Sequence, residues 1–162
     1  MQASIEQFLE SVAKRGSWIG GGSVTALSAA LSAALLEKLL YHPLRVRQMR
    51  GIRRACLRLI QRDADTFARV IRATRARNRS VFARSLKTAT EVQVQVCEAA
   101  QTVQAACRTA QRSINPKLQS DLRCAMALAL AAADGAKTLV RTNLAWLNDR
   151  PYAQQIERRL RA

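Results

Sequence analysis

The stretch GGGSVTALSAALSAALLEKLL, residues 20–40, decides the fold of this chain. Gly20, Gly21 and Gly22 come directly before a run of mostly small apolar side chains. Glycine loses more conformational freedom on ordering than any other residue, so three in a row indicate a turn or a backbone that another group approaches closely. Ser23 is well placed to cap the helix that follows. Free N–H groups and the helix dipole at such a junction favour an anion, either phosphate or carboxylate.

The composition favours close-packed helices in a single domain. The chain has 162 residues, of which 49% are hydrophobic and only 4% aromatic, so alanine and leucine must fill the core. Residues 1–162 therefore read as one domain of ordinary size. Apolar residues recur three and four apart in successive segments, and no strand pattern competes with them. The pattern predicts helices over about residues 3–14, 23–41, 45–76, 79–112 and 120–148, with a short basic helix after Pro151. The predicted fold is an all-α bundle of five or six mostly antiparallel helices.

Cysteine usage and the uncharged segment argue for a cytoplasmic protein without a membrane span. The four cysteines form no CxxC pair, which disfavours a zinc site and a disulfide framework and predicts small buried side chains in a reducing compartment. Residues 16–36 carry no charge after Arg15, but they are rich in Gly, Ser and Ala and are followed by Glu37 and Lys38. This pattern predicts a buried helix and not a targeting segment or a membrane span.

The charge is concentrated in one segment. The chain has a net charge of +16, and residues 45–87 hold thirteen Arg and one Lys against Asp63 and Asp65. Such a balance implies anionic partners. A nucleic-acid backbone is one of them, but the segment lacks interleaved aromatic residues and contains no known nucleic-acid motif, so this partner is not favoured.

Three short motifs carry candidate chemistry. In RDADTF, Asp63 and Asp65 are two apart on a helix and do not share a face, so one carboxylate is expected to turn inward as a general base or cation stabiliser, unless both only balance the arginines. Ser120 and Asp121 open a helix, either as its cap and first-turn acid or as site residues. Asn143 is unfavourable inside a helix, which indicates a hydrogen-bonding task in a site or between helices. His42, before Pro43, is a minor candidate.

The motifs together resemble a known family. FLESVA, GGGSVTALSAALSAALL, RDADTFARV, NPKLQSDL and AMALALAAADGAKTLVRTNLAWLND follow one another in the order and spacing of the cyclodeaminase/cyclohydrolase family, over about residues 5–149. This family comprises the cyclodeaminase domain of formiminotransferase-cyclodeaminase and the methenyltetrahydrofolate cyclohydrolases similar to it. The chain departs from the family pattern at Trp18-Ile19, where a proline usually precedes the glycines, and at YHPLRVRQMR, where a lysine-bearing stretch is usual.

The resemblance implies a homodimeric, metal-free cytoplasmic enzyme whose substrate is a tetrahydrofolate derivative. The implied reaction opens or closes the methenyltetrahydrofolate ring, as a cyclohydrolase or a formimidoyltetrahydrofolate cyclodeaminase, with a formiminotransferase as a possible partner. The implied catalytic acid is Asp121 or Asp63. The expected substrate-binding residues are Gly20, Gly21, Gly22, Ser23, Ser120, Asn143, Arg45 and Arg47. The alternative is a degenerate member that binds anions or nucleic acid through its arginine-rich helix.

Overall fold

The computed structural model describes residues 4–161, and all regular structure in that range is helical. The helices are α1 (Ile5–Ala13), α2 (Gly21–Leu39), α3 (Pro43–Arg75), α4 (Arg79–Ala110), α5 (Gln119–Leu147) and α6 (Arg150–Arg161), with one 3-10 turn (Pro116–Leu118) before α5. The predicted all-α bundle is confirmed, and the helix bounds differ from the predicted ones by only a few residues. Residue 3, where the first helix was predicted to begin, lies outside the described residues.

Four helices, α2 to α5, form an up-down-up-down bundle. Helix α2 lies between α3 and α5 and also contacts α4 across the centre, while α3 and α5 each pack on α4. Small side chains allow this close approach: Ala26, Ala29 and Ala33 of α2 are completely buried. The peripheral helices contribute less, since α1 has no buried residue and α6 buries only Ile156 and Leu160.

Helix α2 is apolar on nearly every side because it is the central element. Its serines are tolerated there because each reaches an oxygen of a neighbouring helix, Ser23 on α3 and the other two on α5. Ser28 donates to the Leu128 carbonyl at 3.0 Å, and the fully buried Ser32 donates to the Ala125 carbonyl at 2.6 Å. These two bonds fix the antiparallel register of α2 against α5.

Two predicted helix starts are wrong in detail. Helix α2 begins at Gly21 with Gly20 as its N-cap and no side-chain cap, so Ser23 lies inside the first turn and does not cap it. Helix α5 begins at Gln119 after Leu118, and Ser120 makes no capping hydrogen bond. In α5 the preceding 3-10 turn at Pro116–Leu118 leads directly into the helix, so Ser120 already lies inside its first turn.

Three of the four cysteines are buried, as the sequence predicts. Cys56, Cys97 and Cys107 are buried free thiols, and burial raises the pKa of Cys56 and Cys107 to about 11. Cys124 is exposed on α5, so the prediction that all four are buried is wrong at this position. Within residues 4–161, no helix combines the length and apolar character needed to cross a membrane.

Candidate active site

A pocket of about 200 Å³ opens at the end of the bundle where α2 begins. All four bundle helices contribute to it, because the N-terminus of α2 lies level with the middle of α3 and α4 and with the C-terminal half of α5. The lining residues are Gly20, Gly21 and Gly22 of the α2 start, Asp63, Phe67 and Val70 of α3, Leu86, Ala89 and Gln93 of α4, and Leu139, Thr142, Asn143 and Trp146 of α5.

Asp63 is the only charged side chain among the described residues that line this pocket. Its carboxylate accepts a hydrogen bond from Ser23 Oγ to Oδ2 at 3.0 Å and another from Gln93 Nε2 to Oδ1 at 2.7 Å. Asp65, two residues further on, is exposed and accepts from Gln61 at 2.9 Å. The two acids therefore point in opposite directions, as their spacing predicts.

The partners of Asp63 are neutral, not arginines. The α3 arginines next to Asp63 in the sequence are exposed and make no hydrogen bond to it, so this acid does not only balance the arginines. Burial raises the pKa of Asp63 above its ordinary value, whereas the hydrogen bonds from Ser23 and Gln93 lower it and only partly offset the burial. The result is a carboxyl group whose charge has no counter-ion in the pocket.

A chain of neutral contacts holds Gln93 in place. Gln93 is only 2% exposed, and its Oε1 accepts from Thr25 Oγ1 at 3.1 Å, which leaves the amide nitrogen to face Asp63. Thr25 also lies 2.8 Å from the Gly22 carbonyl. A Cβ built on Gly135 would come within 2.6 Å of Thr25 Cγ2, so the missing side chain at position 135 makes room for Thr25. Helix α5 thereby supports the acid indirectly.

The three glycines have different roles. None of them has a positive φ, which is found among the described glycines only at Gly16. A Cβ built on Gly22 would overlap the ends of Asp63 and Gln93, so the close approach predicted from the sequence occurs at this glycine. Gly20 has open space around it, and Gly21 meets only Leu139 at an ordinary distance of 3.9 Å. Glycine is thus sterically required at position 22 and not at the other two.

Aromatic side chains stand at the rim of the pocket. Trp146 is 58% exposed and Phe67 is 39% exposed, although both line the cavity. Trp18, in the segment between α1 and α2, packs edge-to-face on Phe67 with ring centroids 6.5 Å apart. Large aromatic groups that remain exposed beside an apolar cavity offer flat surfaces to a ligand ring.

The structure brings together five of the predicted site residues with a sixth behind them. Gly20, Gly21, Gly22, Asp63 and Asn143 line the pocket, and Ser23 is buried directly against Asp63. None of the described hydrogen bonds uses the Asn143 side chain, which faces the cavity. The structure thus brings these residues together, and their roles in binding and catalysis stay predictions.

The other predicted residues lie at a distance. Asp121 is in the first turn of α5 and pairs with Lys38 at 3.2 Å. It precedes Asn143 by 22 positions on the same helix, which corresponds to about 33 Å at the usual helical rise. Ser120 lies beside it. Arg45 and Arg47 are exposed in the first turns of α3, about 25 Å from Asp63 by the same measure. His42 is the exposed N-cap of α3.

The arginine-rich segment forms an exposed face of α3. Among the described residues, the ion pairs of the α3 arginines are those of Arg50 and Arg53 with Glu37, at 2.8 and 2.9 Å. Arg54, Arg58 and Arg62 point into solvent and do not line the pocket. Within residues 4–161, no group of three or more His, Cys, Asp or Glu side chains is placed to hold a metal ion.

Sequence reasoning missed Gln93, Thr25 and the two rim aromatic residues, Phe67 and Trp146. A signal existed for Gln93, which interrupts the run of valines at 92, 94 and 96 on a helix buried on several sides. A buried amide in such a segment needs a polar partner, and that requirement points to a nearby acid or hydroxyl. Thr25 and the aromatic residues gave no comparable signal.

Fold and site together define a class: a helical-bundle protein with a single half-buried acid in an apolar pocket at a glycine-rich helix start. Over residues 4–162 the sequence matches the family model described as formiminotransferase-cyclodeaminase, and the chain belongs to this family. A solved structure, the crystal structure of formiminotetrahydrofolate cyclodeaminase from Thermotoga maritima, superposes with a TM-score of 0.92 at 22% identity. The match covers 99% of this chain and 87% of that one. No curated protein matches the chain.

Proposed function

We propose that this protein is a folate one-carbon enzyme that opens or closes the methenyltetrahydrofolate ring, with Asp63 as its acid-base group. The observation that carries the proposal is the unpaired carboxylate of Asp63 in an otherwise uncharged pocket. The reacting carbon of a methenyl or formimino folate belongs to a cationic amidinium group. A negative group without a counter-ion in a largely apolar cavity stabilises such a cation strongly.

The ring of the substrate fits the rim of the pocket. Trp146 and Phe67 offer flat apolar faces beside the pocket, and Asn143 supplies an amide that can donate to and accept from a pterin edge. A Trp146→Ala substitution should raise the folate Kd roughly 2- to 10-fold, which corresponds to the free energy of one aromatic contact. It should leave kcat nearly unchanged.

Both candidate reactions place the same demand on Asp63. In cyclohydrolysis, water adds to the amidinium carbon and loses a proton, and one ring C–N bond then breaks as its nitrogen gains a proton. The hydroxyl proton of the adduct leaves to solvent as the formyl carbonyl forms. In cyclodeamination, N10 attacks the formimino carbon and loses a proton, and ammonia leaves after gaining one. Each reaction carries one proton from the attacking group to the leaving nitrogen, and cyclohydrolysis releases a second proton to solvent. The first transfer suits a single carboxyl group placed beside the carbon.

The decisive experiment follows the absorbance of 5,10-methenyltetrahydrofolate with purified protein, and ammonia release from 5-formiminotetrahydrofolate in parallel. Asp63→Asn should lower kcat about 10²- to 10⁴-fold with little change in folate Kd. The matched control is Asp65→Asn, which removes the neighbouring acid on the exposed face. Failure of the wild-type protein to accelerate either reaction would refute the proposal and leave the degenerate, anion-binding alternative.

Asp121→Asn belongs in the same series, because the sequence also predicts Asp121 as the catalytic acid. From its distance to the pocket within one chain, we expect kcat to change less than about 3-fold, which is the scale of a surface substitution. A loss as large as that of Asp63→Asn would mean that a second copy of the chain brings Asp121 to the pocket.

We also propose that the protein acts in the cytoplasm as a homodimer joined through α2 and α5, with a formiminotransferase as its functional partner. Val24 and Leu31 lie two turns apart on α2 and are 40% and 49% exposed, and Leu130 of α5 is 45% exposed. Residues 21–36 of α2 carry no charge, so a second copy of the same face fits it better than a charged partner does. Light scattering of the wild-type protein and of Leu31→Glu tests the arrangement, since the variant should shift toward monomer.

A further inference from the structure

The Ser23 hydroxyl group stands between two acceptors. Its Oγ lies 3.0 Å from Asp63 Oδ2 and 3.1 Å from the Ile60 carbonyl oxygen. A serine hydroxyl carries one hydrogen and two lone pairs, so it can donate to only one of these oxygens at a time. Ser23 is completely buried, and water therefore cannot complete the second bond.

The two acceptors correspond to two protonation states of Asp63. When Asp63 is ionised, Ser23 donates to Oδ2, and the Ile60 carbonyl keeps only its bond within α3. When Asp63 carries a proton on Oδ2, it donates that proton to Ser23 Oγ, and the serine hydrogen turns to the Ile60 carbonyl. Each state thus has a complete set of hydrogen bonds, and neither requires a side chain to move.

Gln93 determines which carboxyl oxygen takes the proton. Its amide oxygen lies 3.1 Å from Thr25 Oγ1, and its amide nitrogen donates to Asp63 Oδ1 at 2.7 Å. Because that nitrogen has no acceptor capacity, Oδ1 remains an acceptor in both states. The exchangeable proton is therefore held on Oδ2, beside Ser23.

The groups facing Asp63 from the other helices are neutral. They are Gly22 and Ser23 from α2, Gln93 and Ala89 from α4, and Leu139 and Asn143 from α5. On α3 itself, Arg62 and Asp65 are exposed on the far side of the helix. No charge in this set holds Asp63 in a single protonation state.

We infer that Ser23 is a positioning residue that lets Asp63 alternate between carboxylate and carboxylic acid by exchanging its own hydrogen between Asp63 and the Ile60 carbonyl. The purpose of this exchange rests on the proposed function: Asp63 holds the proton taken from water or N10 until the departing nitrogen receives it. The proton moves from the attacking group to Asp63 Oδ2 and then from Oδ2 to the leaving nitrogen. No net proton remains on the enzyme after a turnover.

The test follows the hydrogen-bond exchange directly and does not depend on enzyme activity. Asp63 is observed through its ¹³Cγ signal, assigned by its loss in Asp63→Asn, and Ile60 through its ¹³C carbonyl signal, both followed by NMR in the wild-type protein from pH 3 to pH 9. We expect the two signals to titrate with one midpoint. In Asp63→Asn, the Ile60 signal should be independent of pH and stay at its acid-side position, because the Asn amide donates to Ser23 as the protonated acid does.

Two serine variants test whether the hydrogen-bond exchange contributes to the reaction. Ser23→Ala should remove the pH response of Ile60 and lower kcat at least 10-fold with little change in folate Kd. The matched control is Ser32→Ala, which removes another fully buried hydroxyl of α2 that bonds only to the Ala125 carbonyl. This control should lower stability but leave the Ile60 titration and kcat unchanged.

Two results would overturn the inference. One is an Ile60 signal that does not follow the titration of Asp63 in the wild-type protein, and the other is the absence of any Asp63 titration in this range. Both are read from the wild-type protein and so do not depend on a folded variant. Failure of the proposed function would instead appear as absent folate turnover while the coupled titration persists.

Discussion

Gly22 and Asp63 are packed so closely that a Cβ built on the glycine would overlap the carboxylate. Both partners are fixed, Gly22 by the first turn of α2 and Asp63 by its hydrogen bonds to Ser23 and Gln93. The catalytic geometry proposed for this site therefore depends on a residue without a side chain.

Gly22→Ala should displace Asp63 or Gln93 and lower the free energy of unfolding by about 1–3 kcal/mol, the usual effect of overpacking a well-packed site. Folate turnover should fall together with stability, because the displaced group is the acid or its partner. The control is Gly51→Ala on α3, where the new Cβ meets open space and stability should rise by about 0.5–1 kcal/mol. Urea unfolding of both variants checks the pair, and an unperturbed Gly22→Ala would contradict the packing argument.

Asp63→Asn should preserve or raise the stability of the protein although it lowers folate turnover. Asn accepts from Gln93 through its oxygen and donates to Ser23 through its nitrogen, so it reproduces the hydrogen bonds of the protonated acid without a buried charge. At pH 7 the variant should be as stable as the wild-type protein or more stable by up to about 1 kcal/mol.

The pH dependence of that difference has a definite sign. Burial raises the pKa of Asp63 in the folded chain above its unfolded value. Such a group contributes most to stability below the unfolded pKa, and the contribution is lost as the pH rises through the folded pKa. The wild-type protein should therefore lose stability relative to Asp63→Asn across that interval, and thermal unfolding at a series of pH values measures it. A relative gain of the wild-type protein with rising pH would show that the folded pKa is lowered.

Arg159→Lys should weaken the attachment of α6. Arg159 reaches Glu91 through two nitrogens at 2.8 and 2.9 Å and Glu98 at 2.9 and 3.1 Å. The side chains of Arg159 and Glu91 are about one-third exposed, and that of Glu98 is 43% exposed. A lysine cannot span both carboxylates with this fork geometry. We expect the free energy of unfolding to fall by about 1 kcal/mol, the scale of a charge-assisted network at partial exposure. Amide hydrogen exchange in α6 should become faster. Arg158→Lys, which alters an exposed neighbour outside the network, should change neither measurement.

Salt should stabilise this protein. The net charge is +16, and most α3 arginines are exposed without an ion pair among the described residues, so repulsion opposes the folded state. Raising NaCl from 20 to 300 mM shortens the screening length about fourfold and should raise the Tm by a few degrees. A Tm that falls with salt would mean that the surface ion pairs outweigh the repulsion of the arginine face.

The sequence alone determined the helices and the family. Apolar spacing identified the long helices, because a 3.6-residue period can be recognised without knowing what covers the apolar face. The same spacing showed that Asp63 and Asp65 must point apart. The triple glycine indicated a close approach, and that approach occurs at Gly22.

Only the tertiary structure decided which polar residues share a pocket. Like Ser23 and Asp63, Ser120 and Asp121 are a serine and an acid that the sequence predicts as site residues. Their place in the first turn of α5 puts them at the other end of the bundle. Gln93 and Thr25 lie 68 positions apart and meet because α2 and α4 cross at the level of Asp63. Local sequence fixes the direction of a side chain on its own helix, whereas its depth along the bundle depends on how the helices align, and that is set by packing between distant segments.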